Sequence, residues 1–263
     1  MALFKPYRFV FLAGKGGVGK SFCCANVARI LSHEHRVAVV DADLEGSNTG
    51  TIFGVADVEM RLDVDGDRVL PTDVTPSLKL INVASHPALR SLKTTVVWDQ
   101  KHQEDFLYQV LTRIDWGWTP DFLLVDCPAG VGMAIPALRK AYRHVDGAFL
   151  VTSPAQVSIE NCEAVVNMLK DVGIPVVGIM ENMSYIECQK CSHREWLFGP
   201  SRGEGLATKH GVEFFGMHPF VPGTAEKMDA GEAVKDDALV HIAQAFILHA
   251  TKAKRIKGVL GWA

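Results

Sequence analysis

The chain has 263 residues, 48% hydrophobic and 22% charged, enough for one large α/β domain over 1–263 with a substantial buried core. Acidic residues outnumber basic ones by 30 to 27, so no overall positive field argues for nucleic acid as a partner. Residues 1–10 lack a long apolar core with a cleavage site, and no apolar run reaches membrane-spanning length; the expectation is a cytoplasmic protein. In that reducing compartment its six cysteines read as ligands, nucleophiles or small core residues.

In chain order, apolar β-rich runs alternate with helical patterns. Strands are predicted over 8–13, 36–41, 78–84, 122–126, 147–152, 176–180 and 213–217. Helices are predicted over 20–33, 103–114, 133–142, 158–171 and 202–210. Nearly continuous apolar runs suit parallel strands covered on both faces, so the pattern predicts a doubly wound, mainly parallel sheet. A last helix carries Leu239, Ile242, Ala243, Phe246, Ile247 and Ala250 at the spacing of one buried face. Two stretches, 43–76 and 185–201, break the alternation and read as irregular, functional segments.

The first predicted strand runs into Gly14 to Ser21, GKGGVGKS, and a helix follows. Glycines at 14, 16, 17 and 19 put backbone N–H groups on a turn that faces a phosphate. Lys20 then reaches the β/γ-phosphates and the Ser21 hydroxyl binds Mg²⁺. Predicted nucleotide contacts run from Gly14 through Lys15, Gly16, Gly17, Val18, Gly19, Lys20 and Ser21 to Phe22, with a solvated loop lysine the alternative at Lys15.

VAVVDAD ends the second strand and FLLVD ends the fourth, which places Asp41, Asp43 and Asp126 at the carboxyl edge of the sheet. Carboxylates there hold Mg²⁺ or orient an attacking water, and the alternative for Asp41 and Asp43 is a turn or helix-cap role. CPAGVG, Cys127 to Gly132, suits a loop that senses the γ-phosphate. Cys127, Cys23, Cys24 and Cys162 read as small packed or surface thiols.

GKGGVGKS resembles the deviant Walker A box of the MinD, ParA, nitrogenase iron protein and Mrp families. The resemblance implies that Lys15 crosses a nucleotide-sandwich dimer to the partner's phosphates. It also implies that Asp43 positions water, that Asp41 supports the metal shell and that Asp126 reaches Mg²⁺ through water. The catalytic set so implied is Lys15, Lys20 and Asp43; the magnesium set is Ser21, Asp41 and Asp126.

A cysteine pair, Cys188 and Cys191, follows ENMSY. C-x2-C puts two thiolates on one turn, half of a four-ligand soft-metal site. Two subunits meeting face to face would supply four thiolates, enough for a 4Fe–4S cluster or zinc. With the DAD strand, DWG, ENMSY and a later FG, the chain is similar to the Mrp/ApbC/Nbp family of iron–sulfur cluster carriers. That likeness implies an ATP- and Mg²⁺-dependent homodimer that holds a cluster at Cys188 and Cys191 and passes it to apoproteins, with slow hydrolysis. It also implies that Asn182 reads the adenine edge; the alternative is a turn residue.

The sequence departs from the family in lacking the extra amino-terminal domain of many members and the amino-terminal cysteine cluster of the eukaryotic cytosolic branch, so a minimal carrier is expected. Ala129 and Met133 also depart from the switch pattern. Zinc, with His193 nearby, is the alternative at the cysteine pair. Rival functions are a positioning or partition ATPase, supported by the PAG core and a basic tail over 252–262 that suits an anionic membrane or else is the frayed basic end of the last helix, and a nickel or zinc insertion chaperone.

Overall fold

The computed structural model describes residues 6–44, 46–56, 58–90, 99–130, 134–234 and 237–259. The first half contains β1 (Tyr7–Leu12), α1 (Lys20–Leu31), β2 (Val37–Asp41), α2 (Thr49–Ile52), β3 (Arg61–Leu62), β4 (Val69–Leu70), β5 (Thr72–Thr75) and β6 (Leu78–Asn82). Next come α3 (Pro87–Arg90), α4 (Gln100–Arg113), β7 (Phe122–Asp126), α5 (Ala134–Tyr142), β8 (Gly147–Thr152) and α6 (Gln156–Asp171). The remainder holds β9 (Val176–Glu181), β10 (Ile186–Glu187), β11 (Arg194–Glu195), α7 (Gly203–His210), β12 (Glu213–Met217), α8 (Thr224–Asp229) and α9 (Asp237–Val259).

Eight strands form one sheet in the order β12-β9-β8-β1-β7-β2-β6-β5. All its pairings are parallel except that of β5 with β6. Every residue of β2, β7 and β8 is buried, as expected of strands covered on both faces. One face packs against α4, α5, α6 and α7 through Leu107, Leu138, Val166 and Leu206. The other packs against α1, α2 and α9 through Phe22, Ile52 and Phe246. Phe246 stacks on Phe9 with ring centroids 4.5 Å apart and meets Phe11 and Phe149.

The irregular reading of 43–76 is corrected. That stretch contains α2, the β3–β4 hairpin and β5, an antiparallel edge strand. Two-residue strands are too short to show a period of two, and β5 is half-exposed, so hydropathy did not mark them. Helix α4 starts at Gln100, earlier than predicted, because the Asp99 side chain accepts from the His102 amide at 2.9 Å and caps a polar first turn. Helix α1 stops at Leu31, two residues before its predicted end. The start of the helix predicted from 133, the loop at 131–133 and the end of the basic tail at 260–263 lie outside the described residues.

Candidate nucleotide and metal site

Strands β1, β2 and β7 end side by side, with Asp41 opposite Asp126 in register and Phe11 opposite Asp126 on the other flank. The turn from Ala13 to Lys20 rises from this edge, and the loop after β7 returns to it: Cys127 N–H donates to the Phe11 carbonyl and Gly130 N–H to the Ala13 carbonyl. This is the carboxyl edge of a parallel sheet, where ligands of such folds sit.

The four loop glycines serve different ends. A Cβ on Gly14 would strike the α6 backbone at Asn161 and Cys162, so that glycine lets β1 approach the helix. Gly16 and Gly17 face open space, and Gly17 has φ +80. Backbone exposed there is free to meet a phosphate.

Lys20 is buried and forms an ion pair with Asp126 at 2.5 Å. Burial pulls the Lys20 pKa down, but the Asp126 charge and hydrogen bond, with Cys127 and Asp41, together outweigh it and the net shift is upward. Burial pushes Asp126 up to about 6, with the Lys20 charge opposing. Asp126 Oδ2 is buried without a hydrogen-bond partner. An acceptor-only oxygen left unmet, on a carboxylate whose lysine partner also reaches the Ser21 hydroxyl, fits a hydrated divalent cation.

Asp41 is fully buried and already engaged. Its Oδ2 accepts from Ser47 Oγ at 2.6 Å, Thr49 Oγ1 at 2.7 Å and Thr49 N at 3.1 Å, and Oδ1 accepts from Asp43 N at 3.1 Å. In this conformation Asp41 organises the turn into α2, the alternative left open by its sequence position. Asp43 is less enclosed, accepts from Gly46 N and lines a cavity of about 560 Å³ together with Lys15 and the loop through Phe22. That volume lies within the range of small-molecule sites. Lys15 is exposed at its mouth.

Asn182 does not line this cavity, whereas its neighbour Met183 does. The Asn182 amide lies buried behind the loop and donates to the Val18 carbonyl at 2.8 Å. Asn48, Thr51, Met228 and Asp229 also line the cavity. They come from α2, its approach and α8, and no local motif marked them.

The cysteine pair sits on the β10–β11 hairpin. Cys188 N–H donates to the His193 carbonyl at 2.9 Å, and Ser192, at φ 55, donates to the Cys188 carbonyl at 2.8 Å. Both Cys188 and Cys191 are exposed, whereas Cys23, Cys24, Cys127 and Cys162 are buried. Backbone N–H groups of Lys190 and Cys191, with the Cys191 side chain, lower the Cys188 pKa. Burial raises Cys162 to about 12 and holds Cys24 and Cys127 well above the ordinary thiol range. The hairpin therefore carries the two exposed thiols, one of them with a lowered pKa. Among the described residues no three His, Cys, Asp or Glu side chains gather as a metal site.

A parallel sheet with a strand–glycine turn–helix at its carboxyl edge, a lysine–aspartate pair under the turn and a hydroxyl beside them defines a phosphate-loop nucleoside triphosphatase. A family model described as NUBPL iron-transfer P-loop NTPase, of the ParA group, matches residues 7–253, and the chain belongs to that family. It is similar to an iron-sulfur cluster carrier protein of Pyrococcus horikoshii, 32% identical over 96% of this chain and 88% of that one. It is also similar to the cytosolic Fe-S cluster assembly factor NUBP1 homolog of Caenorhabditis briggsae, 30% identical over 86% of this chain and 73% of that one. Among solved structures, a nucleotide-binding protein from Archaeoglobus fulgidus in complex with ADP matches with TM-score 0.67 and 25% identity, covering 86% of each chain. The septum site-determining protein MinD of Pyrococcus horikoshii, complexed with Mg-ADP, matches in fold with TM-score 0.63 and 23% identity over 98% of this chain and 100% of that one.

Proposed function

We propose that this chain is an ATP-binding and hydrolysing iron–sulfur cluster carrier that holds its cargo between two copies of itself and delivers it to apoproteins in the cytoplasm. The observation that carries this reading is the cysteine pair. Two thiols stand exposed on a hairpin with the pKa of one lowered by backbone N–H groups, on a chain whose other four cysteines are buried. Two ligands per chain make half of a four-thiolate site, and a twofold axis doubles them. Trp196, Leu197 and Phe198 follow the hairpin and are all exposed, as a surface that becomes covered would be. The relatives' names support the cargo.

In the nucleotide site, Gly16, Gly17 and Gly19 present backbone donors to phosphate oxygens, and Lys20 leaves Asp126 to neutralise the terminal phosphates. Ser21 and Asp126 would hold Mg²⁺, with Asp41 behind them; the ion supplies charge neutralisation at the phosphates. Asp43 orients the attacking water, and Lys15 extends toward the partner's nucleotide. Hydrolysis is a slow switch that alters how the two cysteine hairpins face each other. The same pair of turns also suits zinc.

Cluster transfer tests the reading. Protein loaded anaerobically with iron and sulfide is mixed with the apo form of a 4Fe–4S dehydratase and an excess of a ferrous chelator. Dehydratase activity that returns despite the chelator supports direct delivery; activity that the chelator abolishes contradicts it.

A further inference from the structure

Asn182 stands between the phosphate turn and the cysteine hairpin, and both ends of its amide are engaged. Nδ2 donates to the Val18 carbonyl at 2.8 Å, and Oδ1 faces His218 Nδ1 at 2.9 Å. A carbonyl oxygen only accepts, so Val18 fixes which way the amide points. The amide oxygen also only accepts, so His218 must carry a proton on Nδ1. Asn182 is 4% exposed and His218 3%, so water does not compete for these bonds.

The His218 backbone holds the same corner. Its N–H donates to the Glu181 carbonyl at 2.7 Å, and its carbonyl accepts from Ser184 N–H at 2.9 Å, on either side of Asn182 and Met183. Met183 sits in the left-handed region at φ 57. Beyond Ser184, the Tyr185 carbonyl accepts from Phe220 N–H at 2.7 Å, and the chain enters β10 and reaches Cys188. On the other side, a Cβ on Gly19 would collide with Asn182 Nδ2, so the amide lies tight against the turn that precedes Lys20. Buried bonds thus run without a break from Val18 through Asn182 and His218 to the root of the hairpin.

We propose that His218 is a positioning residue that locks the Asn182 amide onto the phosphate turn, so that nucleotide occupancy of the turn is felt at Cys188 and Cys191. A phosphate drawn onto Gly16 to Lys20 shifts the Val18 carbonyl, and the amide either follows or lets go. Because His218 holds both the amide and the backbone on each side of it, either event moves the start of the hairpin. Coupling of this kind requires a contiguous element that both sites bias, and the Asn182 corner is that element. The inference rests on the nucleotide reading of the turn.

Thiol labelling reads the effect. Metal-free, reduced protein is treated with a water-soluble maleimide, which reaches Cys188 and Cys191 and not the four buried cysteines. Saturating Mg·ADP is expected to change the labelling rate about fivefold or more, the lower range of ordinary coupling between sites. His218→Phe, which keeps ring bulk and loses the Nδ1–H donor, is expected to label at one rate with or without nucleotide. His218→Asn, which returns a donor near the Nδ1 position, is expected to restore the response. A nucleotide response that survives in His218→Phe overturns the latch alone. No binding of Mg·ADP to the wild-type protein by calorimetry overturns the nucleotide reading and the latch with it. Should His218→Phe fail to fold, nuclear magnetic resonance of the wild-type protein decides: Mg·ADP must shift the Asn182 side-chain amide and the Cys188 backbone amide together. A Cys188 amide unmoved at saturation overturns the proposal.

Discussion

Individual side chains at the sheet edge are set by what burial does to charge. Lys20 and Asp126 neutralise each other in a place where either alone would be unsolvated. Lys20→Met is therefore expected to lower stability by about 3 kcal/mol in chemical denaturation without nucleotide, beyond removing phosphate binding, because it strands a buried carboxylate. An unchanged midpoint would contradict the pairing. At the hairpin, the N–H groups of Lys190 and Cys191 favour the Cys188 thiolate. The group's pKa is lowered, so its maleimide rate should reach half-maximum below the pH of an ordinary cysteine, and Lys190→Pro, which removes one donor, should move the profile upward. The placement of Lys20 at the sheet edge and of the cysteine pair on an exposed turn was legible because their spacings fix a strand–turn–helix and a tight turn. Asp41 was less so: its acidity was plain, but the Ser47 and Thr49 hydroxyls that occupy it belong to a turn whose shape no local pattern encodes.

At the scale of elements, hydropathy was informative where a strand is covered on both faces and silent where it is not. The strands β2, β7 and β8 were evident as apolar runs, whereas β5 at the edge and the two-residue strands of the hairpins carry too little pattern. The cavity walls from α2 and α8 were hidden for another reason: Met228 and Asp229 lie some two hundred residues from the phosphate turn, and only the sheet order brings them to it. The same packing separates the roles of two glycines two positions apart. Gly14→Ala should cost about 1–3 kcal/mol, since its Cβ meets the α6 backbone, whereas Gly16→Ala should leave the thermal midpoint unchanged and weaken nucleotide binding. Equal melting shifts in the two variants would contradict this division. In α9, Phe246 is fully buried against Phe9, Phe11 and Phe149, and Phe246→Ala should cost about 3–5 kcal/mol in denaturant unfolding.

For the whole molecule, the phosphate turn and the cysteine pair make one design only if two copies meet. Lys15 is exposed at the cavity mouth, and in the proposed carrier each hairpin would bring two thiols to a four-thiolate site. No described helix is long and apolar enough to cross a membrane. The measurement that bears most directly on the carrier reading is anaerobic reconstitution with iron and sulfide, followed by iron analysis, visible spectroscopy and sedimentation. The expected result is about four iron per dimer with a broad thiolate-to-iron band, both lost in the Cys188→Ser, Cys191→Ser double variant. A band retained in that variant, or a cluster held by a monomer, would contradict it.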